Sequence, residues 1–411
     1  ITARHLNSFP TESNVYVKIF IKNRSAVAGC TTLTKESLQN IISHAKDIAL
    51  HKPKDNIYSI PRIGISAIRK NIVLPPLSHS AAGYIQQSIS RIRKQLHCRQ
   101  LEASGTITIG SEEMGVYTTT GIKQYQPFTF AHYKIIPYRD TATGYACGIS
   151  QKMDSLDIES LTHKAIQTCL ANKNPVDIPL GKYDCILSPE AVAEIMNWMG
   201  YIGCGAKTIE EKTSFLHGHL GTKIMGSNIT ITDDGISDPR TSIPFDFEGI
   251  PRQKVTFIEK GIARDYVTDS HYAKLLKRKN TGHALSPDSC VGPLPLSITL
   301  EQGTLSPSQM IQNLKHGLFI TRFHYLNGFL NTRQAAMTGL TRDGLFLIKN
   351  GKIKKAVKTL RFTQSMLEAF SRVAAISKEQ YLVAEYPTSL GIYKLPYLLI
   401  KDFTFTGKGW V

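Results

Sequence analysis

The patterning of hydrophobic and polar positions divides the chain into two textures. Residues 15–26 concentrate β-branched and aromatic side chains (Val-Tyr-Val-Lys-Ile-Phe-Ile-Lys at their start) and predict a strand. Over 34–50 the period changes: Leu38, Ile41, Ile42, Ala45 and Ala49 recur at helical spacing behind Thr34, a residue type that caps helices. A second helix is predicted over 80–96 from Ile85, Ile89, Ile92 and Leu96. The stretch 52–76 between them is proline-bearing and irregular. Residues 101–117 and 128–136 read as strands joined by Gly/Thr/Gln-rich turns. Residues 158–172 read as a helix with Leu161, Ala165, Ile166 and Leu170 on one face. Two prolines make 172–181 a linker.

The second texture starts with a strand at 183–187 and a helix at 189–200. After Ser214 the pattern breaks into short strands separated by Gly, Asp and Pro, at 228–232, 253–258, 296–300, 318–323 and 345–348. A late helix over 363–373 and a strand-like tail at 397–405 complete the chain. The expected fold class is α+β. Residues 1–180 form a mixed N-terminal domain, and 181–411 form a β-rich domain built as a curled sheet or barrel.

Length supports this division, because 411 residues hold two or three domains with ordinary cores. Apolar residues at 42% and charged residues at 20% exclude wholesale disorder, collagen-like repeats and a coiled coil. The longest apolar runs, 195–206 and 289–300, fall short of the roughly 18–20 residues of a membrane-spanning helix. No basic-then-apolar signal segment opens the chain. Seven scattered Cys, odd in number and without a CxxC pair, fit reduced thiols and a cytoplasmic location. The chain begins Ile-Thr-Ala-Arg-His, without Met, so a truncated start is expected.

The net charge of +17 raises the question of a polyanionic partner. Basic residues cluster at Arg91, Arg93, Lys94 and Arg99, at Lys274, Lys277, Arg278 and Lys279, and six times within 349–361. None of these clusters is interleaved with stacking aromatics. Solvated faces account for them better than nucleic-acid binding; an acidic protein partner is the remaining use.

A zinc peptidase of the familiar kind sets two His on one helix face with Glu after the first. None of the 13 His is followed by Glu. His217-Gly-His219 would share a face on a strand, but zinc needs three or four ligands, and a polar turn is the competing reading. Gly200–Thr208 looks like a phosphate loop until Ala206 stands where Gly must precede Lys. Cys204 with His217 or His219 would make a thiol–imidazole pair, against the usual burial of inert Cys. No Gly-x-Ser-x-Gly elbow occurs. Residues 321–327 and 338–344 are denser in polar groups than strands need. Arg322, His324, Arg342 and Asp343 there either line a cleft or form an internal Arg–Asp pair with a satisfied His.

Several stretches together carry a resemblance. They are 181–191 (Gly-Lys-Tyr-Asp-Cys-Ile-Leu-Ser-Pro-Glu-Ala), Ser214-Phe-Leu with Leu220-Gly-Thr-Lys-Ile, and Ile229-Thr-Ile-Thr-Asp-Asp. Phe247-Glu-Gly-Ile-Pro-Arg-Gln-Lys with Ile258-Glu-Lys-Gly follows, and 321–327 and 338–351 are the closest of all. In their order the chain resembles the TldD/PmbA family, described as metallopeptidases and as modulators of DNA gyrase. The resemblance covers the C-terminal half almost continuously and the N-terminal half more loosely.

The resemblance implies a paired assembly. One subunit type carries zinc on a helix with a His-Glu-x-x-x-His sequence, completed by a Cys nearer the C-terminus, and the pair degrades or processes unfolded peptides. The other type, TldE or PmbA, lacks the metal motif. Here the corresponding helix, from Ala191 to about Lys212, has no His although Glu210 and Glu211 are present, and no Cys follows Cys290. The chain therefore looks like the TldE/PmbA side. The expectation is a non-catalytic subunit with no metal or catalytic residues of its own and no cofactor, zinc being held by a TldD-like partner. It would guide extended, unfolded peptide by strand addition through Phe215, His324, Arg342 and Asp343. A homo-oligomer is the other assembly considered. The alternatives are a DNA- or gyrase-associated binding protein, and a hydrolase with an unconventional metal site at His217 and His219.

Overall fold

A computed structural model describes residues 11–55, 80–238, 243–384 and 391–409. The irregular stretch expected at 52–76 lies outside them from residue 56 onward, as does the start of the chain.

The strand expected at 15–26 is instead a hairpin, Val15–Ile21 against Arg24–Cys30. Lys22 and Asn23 turn it with φ of 47° and 61°, the two consecutive left-handed residues that suit the twist of a tight hairpin. No glycine marks that turn in the sequence. The helix Lys35–His51 follows, with the Thr34 hydroxyl accepting from the Ser37 amide at 3.1 Å.

The helices Ser80–His97 and Ile158–Ala171 pack on a four-stranded sheet. Its long members, Glu102–Tyr117 and Lys123–Arg139, pair antiparallel along their whole length. The short strands Ala142–Thr143 and Ala146–Ser150 pair with the second of them. Tyr133, Ile135, Ala146 and Ala165 fill the space beneath the helices.

The C-terminal half is a closed barrel with a wing. Strand Gly181–Leu187 pairs parallel with His316–Asn331 and antiparallel with Tyr393–Lys408. The circuit closes through Ala336–Lys349 and Leu360–Ser365. Closure gives each of these five strands a ladder partner on both sides. Phe323, Phe362 and Phe403 pack together inside with ring centroids 4.8–5.9 Å apart. The wing continues through Ile298–Leu300, Ile231–Asp233, Val255–Glu259 and Ile262–Ala263. This is the α+β class with a barrel-like C-terminal part that the patterning predicts.

The late helix expected over 363–373 is only Met366–Ser371; Thr363 and Val373 belong to the flanking strands. Met366, Ala369 and Phe370 give six residues a helical apolar face, and the β-branched residues on either side take the extended form. The helix Pro189–Gly203 supplies several of the residues that line a cavity beside the barrel. Ser188 caps it, accepting from the Ala191 amide at 3.3 Å, and Pro189 occupies the first turn. The Ser188 amide donates to the Ile320 carbonyl at 3.0 Å, and its hydroxyl to the Thr321 carbonyl, so the helix start is tied to the barrel.

Candidate functional site: a cleft between the sheet and the barrel

Glu190, Glu194, Asn197 and Tyr201 recur along the helix Pro189–Gly203 at intervals of four, three and four residues, which aligns them on one face. That face borders a cavity of about 230 Å³. Tyr145 and Cys147, beside and within the last strand of the N-terminal sheet, close one side. Arg322 comes from the barrel, Leu294, Pro295 and Leu296 from the approach to the wing, and Val383 and Tyr393 from the last two strands.

The polar groups of this cleft are held in place. Lys164, on the helix Ile158–Ala171, donates to Glu190 Oε1 at 2.7 Å. Burial alone would raise the Glu190 carboxyl; the Lys164 ammonium outweighs it and holds the group below its ordinary value, so it is ionised at neutral pH. Glu190 Oε2 is buried and has no hydrogen-bond partner. The Tyr393 hydroxyl donates to Asn197 Oδ1 at 2.9 Å. The Arg322 guanidinium lies 4.3 Å from the centre of the Tyr145 ring, while its Nε donates to Asp343. Burial pushes the Cys147 thiol up to about 11 and the Tyr145 phenol well above its ordinary value, so neither ionises at neutral pH.

The residues singled out from sequence are spread around this cleft. Arg322 lines it. Asp343 sits behind Arg322, buried, as the internal Arg–Asp pair of the alternative reading. Arg342 stands opposite Arg322 in the barrel ladder with its side chain half exposed, its Nε 4.0 Å from Asp343 Oδ1. The His324 ring meets the exposed Tyr325 edge-on. Phe215 is not a wall of this cavity: it lies in the main core, pressed against Gly203. Sequence reasoning missed Tyr145, Glu190, Glu194, Asn197, Tyr201 and Tyr393. A readable signal existed for four of them, because they form a polar stripe on a helix otherwise almost wholly apolar.

The remaining sequence features resolve as structure. His217 and His219 occupy a turn in which Gly218 has φ +79°, so they do not share a strand face. Cys204 is fully buried, which pushes its thiol far above the physiological range. Among the described residues no group of three or more His, Cys, Asp or Glu converges as a metal site. Of the basic clusters, Arg278 pairs with Asp265 at 2.5 Å, and Lys349, Lys352, Lys354 and Lys355 are exposed on an edge hairpin. Among the described residues no helix is long and apolar enough to cross a membrane.

A second polar cluster lies under the wing and reaches Leu296, one of the residues that line the cleft. Asp233 Oδ2 accepts from the amides of Leu296 at 2.6 Å and Ser297 at 2.9 Å. Its Oδ1 is 3.2 Å from His283 Nε2 and 3.8 Å from Arg252 Nη1, and all three side chains are buried. Asp246 nearby accepts from three backbone amides, those of Glu248, Ile250 and Ala284, each at 2.9 Å.

Comparison with known proteins agrees with this architecture. A "Metalloprotease TldD homolog" of Buchnera aphidicola (Acyrthosiphon pisum) is 22% identical over 391 residues, 90% of this chain and 80% of that protein. A "Metalloprotease" of Methanothermobacter thermautotrophicus is 21% identical over 331 residues, 78% of this chain and 69% of that one. The crystal structure of TldE from Thermococcus kodakarensis superposes with a TM-score of 0.82 at 19% identity, covering 96% of this chain and 90% of that one. The family model described as the PmbA/TldA metallopeptidase C-terminal domain matches residues 180–407, the barrel and its wing. The chain belongs to the PmbA/TldD metallopeptidase family.

Proposed function

We propose that this chain is a TldE/PmbA-like, peptide-holding subunit of a TldD/TldE-type metallopeptidase assembly, and that the zinc belongs to a different subunit. The observation that carries the reading is the donor set of the cleft. Zinc takes three or four ligands from thiolate, imidazole and carboxylate. The face of Pro189–Gly203 offers Glu190, already engaged by Lys164, then Glu194, Asn197 and Tyr201, with no imidazole among the lining residues. Cys147 is held as a thiol by burial. This set does not fit zinc, and no hydrolytic step is assigned to it.

What the cleft does fit is a segment of peptide. Its volume, about 230 Å³, lies below the roughly 300–1,000 Å³ of ordinary small-molecule sites and suits one or two side chains. Val383, which lines it, ends a strand that pairs along its length with Tyr393–Lys408 and is bridged to Leu305 at Ser377, six residues before Val383. An extended chain there would find backbone groups beside side-chain pockets, the arrangement that gives sequence-tolerant affinity.

The test combines metal analysis and reconstitution. The purified chain, without a metal-binding tag, is expected to carry near-zero zinc by elemental mass spectrometry and to leave unfolded casein intact. Mixed with a zinc-bearing family member, it should co-elute and support cleavage. About one zinc per chain with stand-alone cleavage would overturn the reading.

A further inference from the structure

We propose that the cleft recognises uncharged carbonyl oxygens of the peptide, which accept from the Nη nitrogens of Arg322 on the barrel side and from Asn197 Nδ2 on the helix side. This deepens the peptide-holding reading above and rests on it. Arg322 keeps only 9% of its surface exposed, and it lines the cavity. Its Nε donates to Asp343 and its guanidinium carbon lies 4.3 Å from the centre of the Tyr145 ring, so the group is fixed in place. Among the described residues neither Nη nitrogen has a hydrogen-bond partner. Neither is sealed in the interior, in contrast to Nε and Nη1 of Arg252.

Asn197 supplies the second donor. It is exposed on the helix face that borders the cavity. The Tyr393 hydroxyl donates to its Oδ1, which commits the acceptor end of the amide. The donor end, Nδ2, has no partner among the described residues. A guanidinium carries N–H donors and no acceptor. The open hydrogen-bonding capacity of both side chains is therefore donor capacity, and the group that completes them is an acceptor. The charge of Arg322, by contrast, is already matched: Asp343 is bonded to it, and Glu194 also stabilises it. Glu190 is matched in turn by Lys164. An uncharged acceptor fits such a site, and a peptide brings one, the carbonyl oxygen, at every residue.

Two parts of a peptide carry this chemistry, the backbone carbonyl and the side-chain amide of Gln or Asn. Three ten-residue probes built on Ala, Leu and Ser separate them by calorimetry on the full chain. The first is acetylated and amidated, the second is the same with a central Gln, and the third is the first with a free C-terminal carboxylate. Binding of all three within threefold supports the proposal and assigns the backbone carbonyl. A Gln probe at least tenfold tighter than the first also supports it and assigns the side-chain amide. A free-carboxylate probe at least tenfold tighter than the first overturns the uncharged acceptor and leaves the peptide-holding reading standing. Binding of none overturns both.

Two variants separate recognition from folding. Asn197→Asp keeps an acceptor for the Tyr393 hydroxyl and replaces the Nδ2 donor by a carboxylate oxygen. At this exposed position it should weaken the capped probe at least tenfold with the thermal transition unchanged. Arg322→Lys keeps a cation beside Asp343 and loses the planar fork of Nη donors, and it should weaken the same probe at least tenfold. Wild-type affinity in both variants overturns the proposal while the peptide-holding reading stands. Loss of binding only in step with a lowered thermal transition, in both variants, assigns the two side chains to the fold and counts against it as well.

Discussion

Arg322 donates through Nε to Asp343 Oδ2 at 2.5 Å, although its direct ladder partner is Arg342. The ladder is irregular here. Between the pairs Ile320/Leu345 and Arg322/Arg342 one strand has a single residue and the other has two, Asp343 and Gly344. Both take positive φ, 52° and 131°, which swings the Asp343 carboxylate inward under the guanidinium. The bulge thus sets the cation that borders the cleft.

Removing one partner of this buried pair should be costly. Asp343→Ala is expected to destabilise the protein by about 3–5 kcal/mol in urea unfolding, because the Arg322 charge is left buried. Combining it with Arg322→Met should restore much of the loss, since no lone charge remains. A double variant as unstable as the sum of the singles would show that the pair is not the source of the effect.

Much of this fold is legible in the sequence, for physical reasons. Helices Lys35–His51 and Ser80–His97 declare themselves by a long 3.6-residue period, and the C-terminal half by short β-rich runs between turns. The hairpin turn at Lys22-Asn23 is hidden because its left-handed residues are not glycine. Strand Val373–Val383 is hidden because its apolar residues continue the face of Met366–Ser371. The cleft is less legible than the fold. Arg322 stands out as a polar residue in a strand, but Tyr145, Asn197 and Tyr393 meet only through tertiary packing across about 250 residues of sequence. Phe215 shows the converse, an aromatic that looks like a wall and is core.

Gly203 is the reason Phe215 fits there. A Cβ at Gly203 would lie 2.0 Å from Cε1 and 2.3 Å from Cδ1 of the Phe215 ring. Gly203→Ala should therefore cost about 3 kcal/mol or more, although alanine is the better helix former. Adding Phe215→Leu should relieve the clash, so the double variant should unfold near the Phe215→Leu single variant. Strict additivity in the urea midpoints would refute the contact.

Tyr393 positions Asn197 through the 2.9 Å bond between them. Tyr393→Phe keeps the ring and loses the donor. If the cleft holds peptide, affinity for an extended probe should fall roughly three- to tenfold, the equivalent of one hydrogen bond, without change in thermal stability. Unchanged affinity would remove Asn197 from the binding face.

The Asp233–His283 pair sets the direction of acid sensitivity. Burial alone would raise the Asp233 carboxyl, but His283, Arg252 and the Ser297 amide outweigh it and bring it down to about 2. A carboxyl with a lowered pKa binds fewer protons folded than unfolded, so its contribution is complete above about pH 4 and lost as pH falls toward 2. Its size is on the order of 2 kcal/mol. His283 acts in the same direction at higher pH: burial lowers its imidazole below 6.5, with Asp233 opposing, so protonation as pH falls below that value also favours the unfolded chain. Urea midpoints measured from pH 7 to pH 2.5 should fall on both limbs. Asp233→Asn should start lower at pH 7 and fall less steeply below pH 4, and His283→Gln should flatten the limb just below pH 6.5. Variant curves parallel to the wild type throughout would mean that other carboxylates govern the acid limb.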